Sequence, residues 1–295
     1  MPNAQRAAST LDWCKTLLLY PLPHHPISRL IGRLARVRRR WFKNALIRGF
    51  ARWYRVDLTE AREPDPDAYP HFNAFFTRAL AANARPSPAH EADVACPADG
   101  TISQIGSLEN NRVFQAKGRW YGLTELLGDA ALAHQLANGV FATIYLAPRD
   151  YHRVHMPIAG HLQGMTHIPG RLFSVAPHTV RAVPRLFARN ERVVAAFETA
   201  NGPLAVVLVG AVCVASIETV WHGVVTPPRQ PRPQSWSYAD EHPHFQRGDE
   251  IGRFNMGSTA ILIMGRDQAS WYSEHQPGDP IRMGQALGSL TGSGA

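Results

Sequence analysis

Cysteine is scarce in this chain, with three residues among 295. Cys14, Cys96 and Cys213 are far apart, and none of them belongs to a Cys-x-x-Cys pair. A disulfide framework needs several cysteines, and a thiolate zinc site needs closely spaced pairs, so the sequence indicates neither. The pattern fits a protein of a reducing compartment.

Long apolar runs are also missing. The longest strongly apolar stretch, residues 203–217, is shorter than the roughly 20 residues of a membrane-spanning helix. It is rich in valine and contains glycine, so it predicts paired buried strands. We therefore expect no spanning helix in this stretch.

Acidic residues are almost absent from the first 56 positions. This segment holds 12 of the 31 Lys and Arg but only Asp12 of the 23 acidic residues, a net charge of +11 that leaves −3 for the rest of the chain. Such an asymmetry predicts a surface for an anionic partner in the N-terminal fifth of the chain. Nucleic acid and anionic lipid both qualify.

The basic segment has the pattern of an amphipathic helix from residue 28 to about residue 54. Apolar residues recur at three- and four-residue steps with basic residues beside them: Leu30, Leu34, Val37 and Trp41, then Arg29, Arg33, Arg36, Arg40 and Lys43. This suits a helix lying in a lipid interface, with Trp13, Trp41, Trp53 and Tyr54 as further anchors. A helix packed on the rest of the protein explains the pattern equally well. Nucleic acid ranks third, because no recognised binding motif accompanies the charge.

Beyond residue 94 the sequence pattern changes to short apolar runs separated by Gly, Pro and Asn. They predict strands at 101–105, 140–146, 193–199, 204–209, 211–220 and 260–264, with one helix around residues 123–136. Because these strands do not alternate regularly with helices, we expect an α+β fold. Its body is predicted to be antiparallel, β-rich and barrel-like or sandwich-like, with amphipathic helices at the N-terminus.

Three segments carry side chains suited to catalysis. Pro97-Ala98-Asp99-Gly100 offers a carboxylate, residues 149–157 offer the imidazoles of His152 and His155, and Met256-Gly257-Ser258-Thr259 offers a hydroxyl. A histidine can take the proton of a serine hydroxyl, and it does so best when a carboxylate fixes its tautomer. Asp99, one of the two histidines and Ser258 can fill these roles. Taken singly, Asp-Gly and Gly-Ser are also common in ordinary turns.

The spacing His152-x-x-His155 also raises the question of a metal site. On a strand the two imidazoles would point to opposite faces, while Val154 and Pro157 disfavour a regular helix. No cysteine or nearby glutamate completes a ligand set. We therefore expect no metal, and we assign these histidines to acid-base or nucleophilic chemistry.

The combination of motifs resembles one known family, phosphatidylserine decarboxylase of the proteobacterial type. The resemblance runs from about residue 72 to the end of the chain, in the family's order. It is carried by Pro-Ala-Asp-Gly-Thr-Ile-Ser-Gln (97–104), Tyr-Leu-Ala-Pro-Arg-Asp-Tyr-His-Arg-Val-His-Met-Pro (145–157), Leu-Phe-Ala-Arg-Asn-Glu-Arg-Val (186–193), Val-Gly-Ala (209–211), Ser-Ile-Glu-Thr-Val-Trp (216–221) and Gly-Arg-Phe-Asn-Met-Gly-Ser-Thr (252–259). The family usually has Leu where this chain has Met256, a swap that conserves volume.

The resemblance implies a proenzyme that cleaves itself between Gly257 and Ser258. Ser258 would attack the Gly257 carbonyl, with His155 as base and Asp99 as orienting carboxylate, and would end as a pyruvoyl group at the head of a small chain, 258–295. The large chain, 1–257, would stay associated with it. The implied cofactor is this pyruvoyl group, with no metal and no pyridoxal phosphate. Its carbonyl would form a Schiff base with the substrate amine, and His152 is the candidate proton donor in decarboxylation. The alternative for His152 is a structural hydrogen bond that holds the loop.

The implied function is conversion of phosphatidylserine to phosphatidylethanolamine and carbon dioxide in phospholipid biosynthesis. The implied organisation is a basic helical membrane-association segment, 1–60, and a pyruvoyl decarboxylase domain, 61–295. An anionic membrane is then the expected partner of the basic segment, which favours the lipid-interface interpretation over the packed helix and over nucleic acid. The expected location is the cytoplasmic face of the inner membrane, as a peripheral protein, and a homo-oligomer is compatible with it.

Three alternatives stay open at this point. One is a pyruvoyl decarboxylase with a soluble substrate, which would leave the basic segment without a purpose. Another is a serine hydrolase that is not cleaved, although Ser258 lacks the Gly-x-Ser-x-Gly context. The last is a membrane-surface binding protein with the fold but no chemistry.

Overall fold

The structure is a computed structural model that describes residues 7–17, 20–212, 216–227, 232–255 and 258–291. Met256 and Gly257, and with Gly257 one side of the predicted scissile bond, lie outside the described residues. The described helices are α1 (Thr10–Leu17), α2 (His24–Leu34), α3 (Arg40–Tyr54), α4 (Phe72–Phe76), α5 (Leu123–Leu127), α6 (Ala130–Gln135), α7 (Pro177–Ala182) and α8 (Leu186–Arg189).

The strands of the described residues all lie beyond residue 92. They are β1 (Asp93–Ala95), β2 (Gly100–Ser107), β3 (Arg112–Ala116), β4 (Arg119–Gly122), β5 (Val140–Leu146), β6 (Arg153–His155), β7 (Gly160–Ile168), β8 (Arg192–Thr199), β9 (Gly202–Gly210), β10 (Ile217–Thr219), β11 (Gly223–Val224), β12 (Gln234–Ser237), β13 (His244–Phe245), β14 (Glu250–Phe254), β15 (Ser258–Met264), β16 (Ala269–Trp271), β17 (Pro280–Ile281) and β18 (Ala286–Leu290).

One large antiparallel sheet organises the molecule. Its strand order is β12-β7-β8-β9-β15-β5-β2-β17, with β13 paired to β7. Smaller sheets have the orders β11-β10-β14-β6, β1-β18-β16 and β3-β4. The predicted α+β class is confirmed, and the large sheet is open, with no closure into a barrel in the part of the chain that the structure describes.

The large sheet is covered on both faces, and β15 lies at its centre. Ala260, Leu262 and Met264 pack into one hydrophobic core, whereas Ile261 and Ile263 pack into a second core on the other face. Successive side chains of a strand point to opposite faces, so an unbroken apolar strand is what a doubly covered sheet requires. Ser258 therefore begins a strand that is buried from its first residue.

The stretch from residue 28 to about residue 54, predicted as one helix, belongs to two helices, α2 and α3. Ala35 and Ile47 are both buried in one cluster with the phenylalanines of α4. On a single straight helix these two residues would lie about 18 Å apart along the axis and roughly a third of a turn apart in direction. The break at residues 35–39 brings both onto the same cluster, and the Ala35 carbonyl accepts a hydrogen bond from the Asn73 amide (2.9 Å).

The predicted apolar stripe is largely exposed to solvent. Leu30, Leu34 and Trp41 are exposed, Trp41 to 75%. One residue of the predicted basic flank, Lys43, does not face solvent. It is buried and donates to the carbonyl of Asp67 (2.8 Å) and to Asn44 Oδ1 (2.6 Å). No helix among the described residues has the length and apolar character needed to cross a membrane.

Two further predictions are wrong about where a strand or a helix begins and ends. Residues 211–220 do not form one strand: β9 ends at Gly210, and β10 belongs to a different sheet. The predicted helix around residues 123–136 is two helices, because Gly128 adopts a left-handed conformation (φ 67°) that ends α5, and Asp129 then caps α6. In a sequence, glycine is a common signal for the end of a helix, and an aspartate directly after it is a common cap for the start of the next helix.

Candidate active site

Ser258 lies where the chain enters the large sheet. It pairs with Leu146 at the end of β5 and with Gly210 at the end of β9. The residue is fully buried, and its Oγ has no hydrogen-bond partner among the described residues. An unpaired buried hydroxyl costs free energy, so it needs an explanation beyond packing.

The chain before the predicted scissile bond is also anchored. The Asn255 amide donates to the Ser216 carbonyl (2.8 Å), and its side chain donates to Ser216 Oγ (3.1 Å). Asn73 donates to Asn255 Oδ1 (2.8 Å). Asn255 and the start of β15, the described residues on either side of positions 256–257, are thus both held in place.

His155 is held as a neutral base by its neighbours. Its Nδ1 donates to the Gly248 carbonyl (2.8 Å), which places the ring proton on that nitrogen, and its Nε2 accepts from the Tyr151 hydroxyl (3.1 Å). Burial lowers the pKa of His155. The ring therefore presents an unprotonated Nε2, the form that can take up a proton.

His152 is more deeply enclosed. Its Nδ1 donates to the Asp150 carbonyl (2.8 Å), and its ring packs against Phe76 with a centroid separation of 4.1 Å. Burial lowers the pKa of His152 to about 3, so the imidazole is neutral. Its Nε2 is buried without a partner and carries a free lone pair, so His152 must acquire a proton before it can donate one from Nε2.

Asp99 takes part in a tight ion-pair network. Arg85 donates from Nε to Oδ1 (2.9 Å) and from Nη2 to Oδ2 (2.5 Å), and the Met283 amide donates to Oδ1 (2.8 Å). Arg85 also donates to Glu60 (2.8 Å). The carboxylate is thus held by Arg85 and by the backbone of the C-terminal segment.

A backbone hydrogen bond joins the segment that carries Asp99 to the segment that carries His155. The His155 amide donates to the Pro97 carbonyl (2.8 Å), two residues before Asp99. Across the described ranges, no hydrogen bond joins the Asp99 carboxylate, the His155 ring and the Ser258 hydroxyl. Their roles as a triad, and that of His152 as a proton donor, stay predictions.

Asn190 is a positioning residue that the sequence argument did not single out. Its side chain donates to the carbonyls of Phe173 (2.8 Å) and Gly210 (2.9 Å) and accepts from the Phe173 amide (3.1 Å). It thereby fixes the end of β9 beside Ser258. The signal was present, because residues 186–193 form one of the recognised motifs, but the motif alone gives no role to its members.

Tyr151 and Arg85 were missed for different reasons. Tyr151 lies inside a quoted motif, where its contact with His155 depends on how the loop folds. Arg85 lies outside every quoted motif and reaches Asp99 across 14 residues. Only the tertiary structure reveals that pair.

The site fits a cofactor made from the chain itself. No group of three or more metal-ligating side chains is present among the residues that can be described. The Oγ of Ser258 is buried and has no hydrogen-bond partner among the described residues, so no bond has to be broken before this hydroxyl can react. The residues present therefore fit conversion of this serine.

The fold and this site define a class: an α+β protein with a buried serine, two neutral buried imidazoles and a carboxylate on adjoining sheets. A family model described as phosphatidylserine decarboxylase matches residues 72–289, and another, described as PSD, matches residues 14–55. The chain belongs to the phosphatidylserine decarboxylase family. The resemblance drawn from the sequence is confirmed.

Relatives match over nearly the whole chain, and each is named phosphatidylserine decarboxylase proenzyme. The protein of Alkalilimnicola ehrlichii is 60% identical over 258 residues, 87% of this chain and 90% of the relative. That of Pseudomonas fluorescens strain Pf-5 is 57% identical over 272 residues, 91% and 94% of the two chains. That of Methylococcus capsulatus is 54% identical over 271 residues, 92% and 94%.

Proposed function

We propose that this protein is a self-processing phosphatidylserine decarboxylase that converts phosphatidylserine to phosphatidylethanolamine and carbon dioxide. One observation carries the proposal: in a chain of this family, the hydroxyl of Ser258 at the start of the central strand is buried and has no partner among the residues that the structure describes. A hydroxyl kept free of hydrogen bonds is available to attack the carbonyl that precedes it.

The proposed self-cleavage breaks the Gly257–Ser258 peptide bond. Ser258 Oγ attacks the Gly257 carbonyl, and the amide becomes an ester as the Ser258 nitrogen leaves. Loss of the carboxylate of residues 1–257 by elimination leaves dehydroalanine at position 258. Addition of water then releases ammonia and leaves the pyruvoyl group at the head of chain 258–295.

His155 is the proposed base for this cleavage. Its Nδ1 proton is committed to Gly248, so Nε2 is the nitrogen that accepts. The Tyr151 hydroxyl now bonded to Nε2 has to rotate away or relay the proton from Ser258. Asp99 is the proposed orienting carboxylate, held in place by Arg85 and the Met283 amide.

His152 is the proposed proton carrier in decarboxylation. The pyruvoyl group, once formed, supplies a carbonyl that binds the substrate amine and accepts the electrons left when carbon dioxide departs. His152 Nε2 is free to take up a proton and return it to the substrate carbon. The Asp150 carbonyl keeps the other ring nitrogen protonated and fixes the direction of Nε2.

The N-terminal segment, 1–60, is the proposed membrane-association segment of a peripheral protein at the cytoplasmic face of the inner membrane. Large apolar side chains that are exposed cluster here: Leu11, Trp13, Leu17, Leu22, Leu30, Leu34, Trp41, Trp53 and Tyr54. Apolar side chains beside the net charge of +11 of residues 1–56 suit an anionic bilayer surface, where a substrate with two acyl chains is already embedded. The remaining residues, 61–295, are the proposed catalytic domain.

The intact mass of the purified protein tests the self-processing. We expect two polypeptides, 1–257 and 258–295, with the smaller one blocked at its N-terminus and reactive toward hydrazine. Ser258→Ala should give one uncleaved chain without decarboxylase activity, whereas Ser270→Ala, at an exposed serine on β16, should behave as the wild type. An active wild-type protein that consists of a single 32.7 kDa species would contradict the proposal.

A further inference from the structure

A cavity of about 380 Å³ lies beside the candidate active site. It is bordered by the loop that precedes His152 and by the bend that carries Asp99, directly before β2. Its ionic lining consists of Arg55, Arg78, Arg85, Arg149 and Arg282, with Asp57, Glu60, Asp99 and Asp150.

Most of these charges pair with one another. Arg85 binds Asp99 and Glu60, and Arg282 also binds Glu60 (2.7 Å). Arg149 is 3.7 Å from Asp150. Two arginines of the lining, Arg55 and Arg78, form no ion pair with any carboxylate of the described residues.

Arg78 is the unusual one of the two, because it is only 5% exposed. Its guanidinium donates one hydrogen bond, from Nη2 to the Arg149 carbonyl (3.1 Å), and its Nε is buried without an acceptor. Burial lowers the pKa of Arg78, yet a guanidinium stays charged in a protein. The carboxylates of Asp99 and Asp150 act on the charge of Arg78 only from a distance, without an ion pair. A buried charge that no carboxylate contacts is costly, so this site suits an anion that is supplied from outside the chain.

Arg78 and His152 are held by successive residues of one loop. The Arg149 carbonyl accepts from Arg78, and the next carbonyl, that of Asp150, accepts from His152. Burial lowers the pKa of His152, and the hydrogen bond to the Asp150 carbonyl raises it. The positive charge of Arg78 lowers it further. An anion on Arg78 therefore lies next to the proposed proton carrier.

The other unpaired cation connects the cavity to the proposed membrane surface. Arg55 follows directly after Trp53 and Tyr54 at the end of α3, and both aromatic side chains are exposed, Trp53 to 82%. A lipid whose acyl chains lie beside these aromatics would present its head group to Arg55 first and to Arg78 beyond it.

We propose that Arg78, with Arg55 at the cavity mouth, binds the phosphodiester of the phospholipid head group. The assignment rests on the proposed function. A phosphodiester keeps its charge from substrate to product, and a guanidinium can bind two of its oxygens at once. The substrate carboxylate is the weaker candidate, because a cation that stabilises it in the ground state opposes its departure as carbon dioxide.

Binding measurements on the full-length, self-cleaved protein test this assignment without turnover. The probes are dihexanoylphosphatidylglycerol, which has a phosphodiester but no amine or carboxylate, N-acetylserine, which has only the carboxylate, and inorganic phosphate. In calorimetry, Arg78→Gln should weaken binding of the lipid probe at least about tenfold and leave N-acetylserine unaffected. Inorganic phosphate should bind more weakly than the lipid probe. In turnover, KM for phosphatidylserine should rise with kcat largely preserved.

Two further variants keep the test decisive if Arg78→Gln does not fold. Arg78→Lys retains the charge without the two-pronged geometry and should bind the lipid probe several-fold more weakly, and Arg55→Gln should show a smaller loss. Arg266→Gln, at an exposed arginine on a different loop, is the charge-matched control and should bind as the wild type does.

The outcomes separate this inference from the proposed function. Unchanged affinity for the lipid probe in every Arg78 and Arg55 variant that folds would overturn it. So would a loss confined to N-acetylserine, which would assign Arg78 to the carboxylate, or inorganic phosphate that binds as tightly as the lipid probe. If the wild-type protein lacks decarboxylase activity, the proposed function fails, while the calorimetric comparison still decides the role of Arg78.

Discussion

At the scale of single residues, the candidate site consists of groups that are neutral because they are buried. His152 has a pKa of about 3, against an ordinary value of 6.5. Between these two values the unfolded chain binds a proton that the folded protein excludes, so the stability contributed by the neutral ring is fully present above pH 6.5 and is lost as the pH falls. The same burial keeps Nε2 free for proton transfer.

This linkage predicts how stability responds to acid. Urea unfolding in a Ser258→Ala background, where each sample is one intact chain, should show less stability at about pH 5 than at about pH 7.5. His152→Gln should reduce that difference by about 2 kcal/mol, because the substituted residue does not titrate. His134→Gln, at an exposed histidine on α6, should leave the difference unchanged. An equal acid response in the His152 variant and its parent would refute the buried, neutral ring.

The sequence identifies a site residue only when that residue stands in a recognisable motif. Asp99, His152, His155 and Ser258 stand in motifs whose order is itself informative. Arg78 and Arg85 do not, because an arginine is recognised as special only when its exposure and its partners are known. The pairing of Arg85 with Asp99 and the lack of a carboxylate in contact with Arg78 among the described residues both arise from tertiary packing.

At the scale of elements, apolar patterning predicted the central strands well. Residues 140–146 are predicted and observed as a strand with the same bounds, and β15 starts two residues before its predicted start. The prediction fails over residues 211–220, because an apolar composition does not reveal that the chain leaves one sheet at Gly210 and joins another at Ile217. Likewise, the stripe in the basic segment does not reveal the break between α2 and α3, which is set by contacts with α4.

Because β15 lies between two hydrophobic cores, shortening a side chain on either of its faces should destabilise the protein to a similar extent. Ile261 and Leu262 point to opposite faces, and both are fully buried. Ile261→Ala and Leu262→Ala should each lower the free energy of unfolding by about 2–5 kcal/mol in the Ser258→Ala background. Ser237→Ala, at an exposed position of the edge strand β12, should change it by less than about 0.5 kcal/mol. A large loss for only one of the two core variants would mean that one face of β15 is not packed as described.

At the scale of the whole molecule, residues 258–291 form part of the same architecture as the rest of the described chain. β15 lies between β9 and β5, β17 pairs with β2, and β18 pairs with β1. A chain cut before Ser258 would therefore keep its small piece through strand pairing and two hydrophobic cores, without a covalent link. This explains how self-cleavage is compatible with a stable product.

The uneven distribution of charge and exposed aromatic groups predicts two separable contributions to membrane binding. Binding to vesicles that contain anionic phospholipid should weaken as salt is raised, because charges are screened beyond about 8 Å at physiological ionic strength. Trp41→Ala and Trp53→Ala should lower the binding that persists at high salt, since both indole rings are exposed and suit the interface. Val224→Ala, at an exposed apolar residue outside the N-terminal segment, is the control and should bind normally. Co-sedimentation measures both effects. Equal binding to anionic and to zwitterionic vesicles at low salt would show that the +11 segment does not face the membrane.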